Sequence, residues 1–183
     1  MRELSLHILD IAQNSIAAYS SLIEITVKEI SKDNQLVIEV KDNGIGMSNE
    51  DIKKVVDPFY TTRNTRDVGL GVPLFKMSAE ITGGDFKISS KPKKGTLVSG
   101  TFISSSIDMT PLGNVNATIG ILIRCNPNTD FVYTRILDNK FFTLDTREIK
   151  DVLANSIAIN SNEVMLWISE FLEEQTNVLL GGV

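Results

Sequence analysis

Apolar residues recur along the chain with two periods, and the switches between them mark the elements. Leu4, Ile8, Ile11, Ala12 and Ser15 share one face at helical spacing, with Leu9 and Ile16 beside it, which predicts a helix over 4–19. Ile23, Ile25 and Val27 then alternate with Glu24, Thr26 and Lys28, the period of a half-buried strand. Residues 31–35 are turn chemistry, and Leu36, Ile38 and Val40 alternate again, so the two strands are expected to pair antiparallel. Ser48 can cap a short helix with Asn49, Glu50 and Asp51 in its first turn. After a polar stretch over 60–69, a helix is expected over 70–81, ended by Gly83-Gly84. Strands over 86–90 and 96–103 follow, joined by Lys91-Pro92-Lys93-Lys94-Gly95. Helix, hairpin, two helices and hairpin do not make a regular alternation of strand and helix. They imply a mixed or antiparallel sheet with helices on one face, an α/β (α+β) two-layer sandwich.

The pattern lapses over 108–116 and resumes with three strand-like runs, 117–125, 131–136 and 141–144. Asp145-Thr146-Arg147-Glu148 resembles a capping box that opens a helix, and a last helix is expected over 162–175. Residues 1–107 and 108–183 therefore read as a main domain and a small β/α appendage. Charge separates them too: the first part carries 13 Lys/Arg against 13 Asp/Glu, the second 5 against 10. An acidic second part argues against a nucleic-acid surface there and suits partner binding or homodimerisation. Lys91, Lys93 and Lys94 read as a solvated hairpin tip.

With 183 residues and 42% apolar content, a core forms without staples. Cys125 is the only cysteine and His7 the only histidine, which removes disulfide frameworks, zinc clusters and two-histidine metal sites. Cys125 and Trp167 are expected in the core, and His7 is expected to be an ordinary helix residue. No apolar run approaches membrane-spanning length, so a cytoplasmic setting with no membrane partner is expected.

Four segments mix glycine or an amide with buried-looking neighbours. Asp10 and Asn14 lie four apart and project from one face of the first helix. Asp42-Asn43-Gly44-Ile45-Gly46-Met47 puts a carboxylate at a strand end beside backbone that can approach a ligand, and a carboxylate accepts from an exocyclic amine. Asp57-Pro58-Phe59-Tyr60-Thr61-Thr62 leads into Gly69-Leu70-Gly71-Val72, where glycines at a helix start free N–H groups for a phosphate. No Gly-Lys-Ser/Thr follows, so this is not a Walker A loop. Gly95-Thr96 opens the last strand of the first part.

In this order and spacing the segments resemble the sequence boxes of the GHKL ATPase superfamily, shared by DNA gyrase, heat-shock chaperones, histidine kinases and the mismatch-repair protein MutL. The resemblance spans about residues 1–106. It implies that Asn14 ligates Mg²⁺ under the phosphates of ATP and that Asp42 accepts from the adenine amine. Gly44 and Gly46 would let the chain pass close to the base, with Met47 packing near it and Phe59 anchoring a lid. Gly69, Leu70 and Gly71 would offer N–H groups to the phosphates, and Thr96 would bond near Asp42. Asp10 stands where many members carry a glutamate that acts as general base, and is one methylene shorter. The nine residues between Phe59 and Gly69 make a short lid, like that of histidine kinases. No dimerisation helix pair is expected before the first box, and Ala17 replaces a basic residue that kinases often carry. The layout is similar to free-standing anti-sigma-factor serine kinases. The resemblance thus implies an ATP- and Mg²⁺-dependent kinase acting on a separate protein, with Asp10 as base and Arg63 or Arg66 near the γ-phosphate. The alternatives are a nucleotide-gated binding module with little turnover and a slow gyrase-type ATPase.

Overall fold

A computed structural model describes residues 3–57, 70–154 and 156–182. Among the described residues six α-helices and six strands run in the order α1 (Leu4–Ala17), β1 (Leu22–Ile30), β2 (Gln35–Asp42), α2 (Asn49–Val56), α3 (Gly71–Ile81), β3 (Asp85–Lys91), β4 (Gly95–Ile103), α4 (Val115–Cys125), β5 (Asp130–Leu137), β6 (Lys140–Asp145), α5 (Thr146–Leu153) and α6 (Asn162–Leu179). All strands join one sheet in the order β3-β4-β2-β1-β5-β6. The pairs are antiparallel except β1 with β5, so the sheet is mixed, as the two hairpins imply.

Register explains why the helices cover one face. Ile25 lies opposite Val40 and Val27 opposite Ile38, while Ile25 also stands beside Tyr133 across the parallel ladder. Continuing outward, Val40 meets Val98, and Tyr133 meets Leu144. Because side chains alternate, these residues form one apolar surface across the sheet. Leu4, Ile8 and Ile11 of α1, Phe75 of α3, Ile119 and Leu122 of α4 and Ile168 and Leu172 of α6 bury it. Polar residues such as Glu24, Lys41 and Glu39 occupy the opposite face, where Lys41 donates to Glu24 at 2.6 Å.

An ion pair sits on the covered face. Arg135 of β5 is 5% exposed and ion-paired with Glu29 of β1, with one guanidinium nitrogen (Nη1) lacking a protein partner. A buried pair of this kind adds little net stability, because desolvation offsets most of the attraction.

The second part departs from the sequence reading. Residues 115–125, expected as a strand over 117–125, form helix α4. β-branched Thr118, Ile119, Ile121 and Ile123 favour a strand by propensity, but Val115, Thr118, Ile119, Leu122 and Ile123 are buried on one helical face. Asn114 fixes the helix start by accepting from Ala117 N at 2.9 Å. Packing against α1 and α6 outweighs propensity here. The part is thus α4-β5-β6-α5-α6, and its strands extend the main sheet. Its connector also satisfies α1, since the carbonyls of Pro111 and Leu112 accept from the Leu4 and Ser5 amides at 2.9 and 2.8 Å. Two further expectations reverse: Cys125 is exposed at the end of α4, and Trp167 is 51% exposed on α6. Both occupy solvent-facing positions of amphipathic helices, which an apolar residue type does not exclude.

Candidate functional site

The site begins where β2 ends. Asp42 is buried at the strand terminus, and β4 starts alongside it at Gly95-Thr96. The turns around it close only with glycine. Gly95 has φ of +86° and Gly46 φ of +64°, and added Cβ atoms there would stand 1.9 Å from Asp42 O and 2.0 Å from Lys91 O. The chain can therefore fold flat against the strand end and expose the Asp42 side chain to the cavity beside it.

The Asp42 carboxylate is held from three sides. Ser15 Oγ donates to Oδ2 at 2.7 Å, while the amides of Gly44 and Thr96 donate to Oδ1 at 2.8 and 3.2 Å. A carboxylate offers about four lone-pair directions, so the arrangement fixes the group and leaves room for one more donor. Ser90 ties the surrounding loops together: its Oγ accepts from Met47 N at 2.8 Å, donates to Gly95 O at 2.9 Å and lies 2.9 Å from Thr96 Oγ1. The buried hydroxyl of Ser20 has no protein partner.

Beside Asp42 lies a cavity of about 220 Å³ between the helical layer and the sheet end. Ile11, Asn14, Ser15 and Ala18 of α1 form one wall, and Asp42, Ile45, Gly46 and Met47 another. Val55, Val72, Ile88, Thr96 and Val98 complete it. The cavity is thus apolar apart from a few polar groups, which suits a flat ring with an amine edge. Asn14 is exposed and lines it. Its carboxamide oxygen suits Mg²⁺, which typically takes few protein ligands and completes its shell with phosphates and water. Among the described residues no cluster of three His, Cys, Asp or Glu could hold a metal alone.

The structure brings together Asn14, Asp42, Gly46, Met47 and Thr96 around one cavity, with Gly44 directly beneath as a donor to Asp42. Asp10 does not line it. A side chain on Gly71 would come within 2.8 Å of Asp10 Cβ, so the aspartate packs against the start of α3. Burial raises its pKa above the ordinary carboxylate value of 3.8. Gly71 is buried there, and Leu70, at the cap of α3, is 52% exposed. Phe59 and Gly69, with Arg63 and Arg66, lie outside the described residues. Ser15 and Ser90 are functional-looking residues that the sequence does not single out. Ser15 could be found from its place on the buried face of α1, and Ser90 only from its register opposite Thr96.

A mixed-sheet sandwich with a polar-ended apolar cavity between helices and a glycine-rich strand end defines an α/β ligand-binding domain. The chain belongs to the family of histidine kinase-, DNA gyrase B-, and HSP90-like ATPases, whose model matches residues 2–105. ATP binding is the common property of such domains. Similar curated proteins include the sensor histidine kinase YxdK of Bacillus subtilis (strain 168), 38% identical over 76 residues, covering 39% of this chain and 23% of YxdK. Sporulation kinase C of the same organism is 33% identical over 89 residues, covering 49% of this chain and 21% of that kinase. The match therefore spans less than a quarter of those proteins' length. Among solved structures, the N-terminal domain of a DNA repair protein has a TM-score of 0.56 at 16% identity, covering 79% of this chain and 53% of that one. The Aquifex aeolicus MutL ATPase domain complexed with ADP has a TM-score of 0.52 at 16% identity, covering 84% and 70%. At that identity the likeness is one of fold.

Proposed function

We propose that the chain binds ATP with Mg²⁺ and acts as a protein kinase on a separate protein partner. The observation that carries this reading is the Asp42 carboxylate, fixed by Ser15, Gly44 and Thr96 at one side of an apolar cavity that Asn14 also lines. Asp42 selects an adenine by accepting from its exocyclic amine, while Val72, Ile88 and Val98 exclude water around the ring. Asn14 would hold Mg²⁺, which when bound would supply neutralisation of phosphate charge. Leu70 and Gly71 at the start of α3 supply N–H groups and the positive end of the helix to the phosphates, and Gly69 is assigned the same role from the family resemblance. Met47 packs against the base, and Phe59 anchors the lid. Asp10, its basicity increased by burial, takes the proton from the partner's nucleophile as ADP leaves.

One observation favours a second reading, in which nucleotide gates partner binding with little turnover: Asp10 packs against Gly71 and is absent from the cavity lining. Calorimetry with ATP and Mg²⁺ tests the shared premise. Asp42→Asn, which keeps the shape but turns an acceptor into a donor, is expected to weaken binding by about tenfold to a hundredfold. Unchanged affinity would overturn both readings. Transfer of label from γ-labelled ATP to co-purifying proteins, abolished by Asp10→Asn with binding intact, separates kinase from gate.

A further inference from the structure

We infer that the groove between α5 and α6 docks a basic amphipathic helical segment of a protein partner. The groove shares no lining residue with the nucleotide cavity, and the inference does not depend on that site.

The groove is an apolar surface left uncovered by the fold. Ile149, Val152 and Leu153 of α5 face Val164 and Trp167 of α6, with Ile157 from the connection, around a volume of about 510 Å³. Val152 is 86% exposed, Trp167 51% and Ile157 44%. Contiguous exposure of this kind, unlike scattered single residues, marks an interaction surface. Its aromatic centre is braced from the core outward. Trp167 stacks on Phe171 with centroids 5.4 Å apart and planes 19° apart, and Phe171 stands edge-on to Phe142 at 6.4 Å and 88°. A held, half-exposed tryptophan is the kind of anchor that dominates binding energy at protein interfaces.

Charge selects the occupant. Glu148 and Glu163 line the groove, and Asp151 and Glu170 stand one helical turn from Glu148 and Trp167. Among the described residues no lysine or arginine lines it. The two basic residues of α5 are engaged elsewhere: Arg147 donates to Asp145 at 2.6 Å and Lys150 to Asp130 at 2.6 Å. An apolar floor with an acidic rim is complementary to a helix presenting apolar residues at i, i+3 and i+4 with Lys or Arg flanking them. The eight-residue α5 is about 12 Å long, enough for roughly two turns of such a helix. A second copy is a poor match, because an isologous interface would set acid rim against acid rim in a chain of net charge −5.

Trp167 is the only tryptophan, so its emission reads the groove directly in the full chain. The probes are a synthetic Leu/Lys peptide with leucines at helical spacing, its Leu/Glu counterpart, and the Leu/Lys peptide scrambled so that the leucines share no face. A saturable blue shift with the first alone is expected. Val152→Asp is expected to weaken it by about tenfold or more, although the added negative charge would strengthen a merely electrostatic attachment. Exchanging Glu148 and Glu163 for Gln together is expected to flatten the salt dependence of binding, and this variant keeps the test open should Val152→Asp misfold. Equal response to the scrambled peptide, preference for the Leu/Glu peptide, or undiminished binding by a folded Val152→Asp would overturn the inference. So would light scattering that shows a dimer of the wild type which Val152→Asp dissociates, since the groove would then belong to a second copy.

Discussion

His7 illustrates how one side chain carries a pH dependence that its residue type alone does not reveal. Its ring is 1% exposed, with Nε2 3.2 Å from Ser78 Oγ and Nδ1 without a protein partner. It also lies against Phe75 at 5.8 Å, so a charged imidazolium would sit among aromatic carbons. Burial lowers its pKa from 6.5 to about 4. Between those values the unfolded chain binds a proton that the folded chain refuses, so stability is full above pH 6.5, falls as pH drops towards 4, and levels off below. The loss is about 3 to 4 kcal/mol at most. Asp51, Asp85, Asp138 and Asp145 have depressed pKa values, and their contribution is lost only as pH falls below the ordinary 3.8. These four windows are separate from that of His7, whereas Asp10, raised above 3.8 by burial, titrates within it and with the opposite sign. Urea unfolding at pH 8, 6, 5 and 4 is expected to show the decline in the wild type and a flatter profile in His7→Met, which keeps the volume without the titrating ring. Equal slopes in both would remove His7 as the cause.

At the scale of elements, α2 depends on its ends more than any other helix of the nucleotide-binding part. None of its residues is buried, yet Val55 lines the cavity. Its N-terminus is closed reciprocally: Asp51 N donates to Ser48 Oγ at 3.2 Å and Ser48 N donates to Asp51 Oδ2 at 3.3 Å. Ser48→Ala is expected to cost about 1 kcal/mol locally, and amide exchange in α2 should quicken about fivefold with little change elsewhere. Unaltered exchange would place the helix's stability in its packing. Ser48 as a cap, α1, and the two antiparallel hairpins are legible from the chain because each rests on contacts a few residues apart: Ile25 and Val40 alternate in phase, and a short turn joins them. The parallel pairing of β1 with β5 is not, since Ile25 and Tyr133 meet across more than a hundred residues. Helix α4 is misread for a related reason: its β-branched residues state a local preference that burial against α1 and α6 overrides. The same division holds in the site. Asp42 and its glycines stand in one run of sequence, whereas the Ser15 hydroxyl that fixes Asp42 comes from another element.

For the whole molecule, the position of β1 decides how the two parts behave. It is central in the sheet, bonded to β2 on one side and β5 on the other, and α1 packs against both α3 and α4. The buried apolar residues form one cluster that runs from Val98 in β4 to Leu144 in β6. Separating residues 108–183 would expose one edge of β1 together with Ile23, Ile25 and the α1 residues that α4 covers, so the cavity beside Asp42 draws support from residues that do not line it. Unfolding of the full chain should therefore be one cooperative event. Trp167 reports from α6, and far-UV circular dichroism reports from all elements. Their urea transitions are expected to coincide, and a chain ending at residue 107 is expected to unfold at lower urea or to associate through the bared strand. If the tryptophan signal is lost while half or more of the helical signal persists, the second part folds as a separate unit, and the shared sheet does not couple it to the cavity beside Asp42.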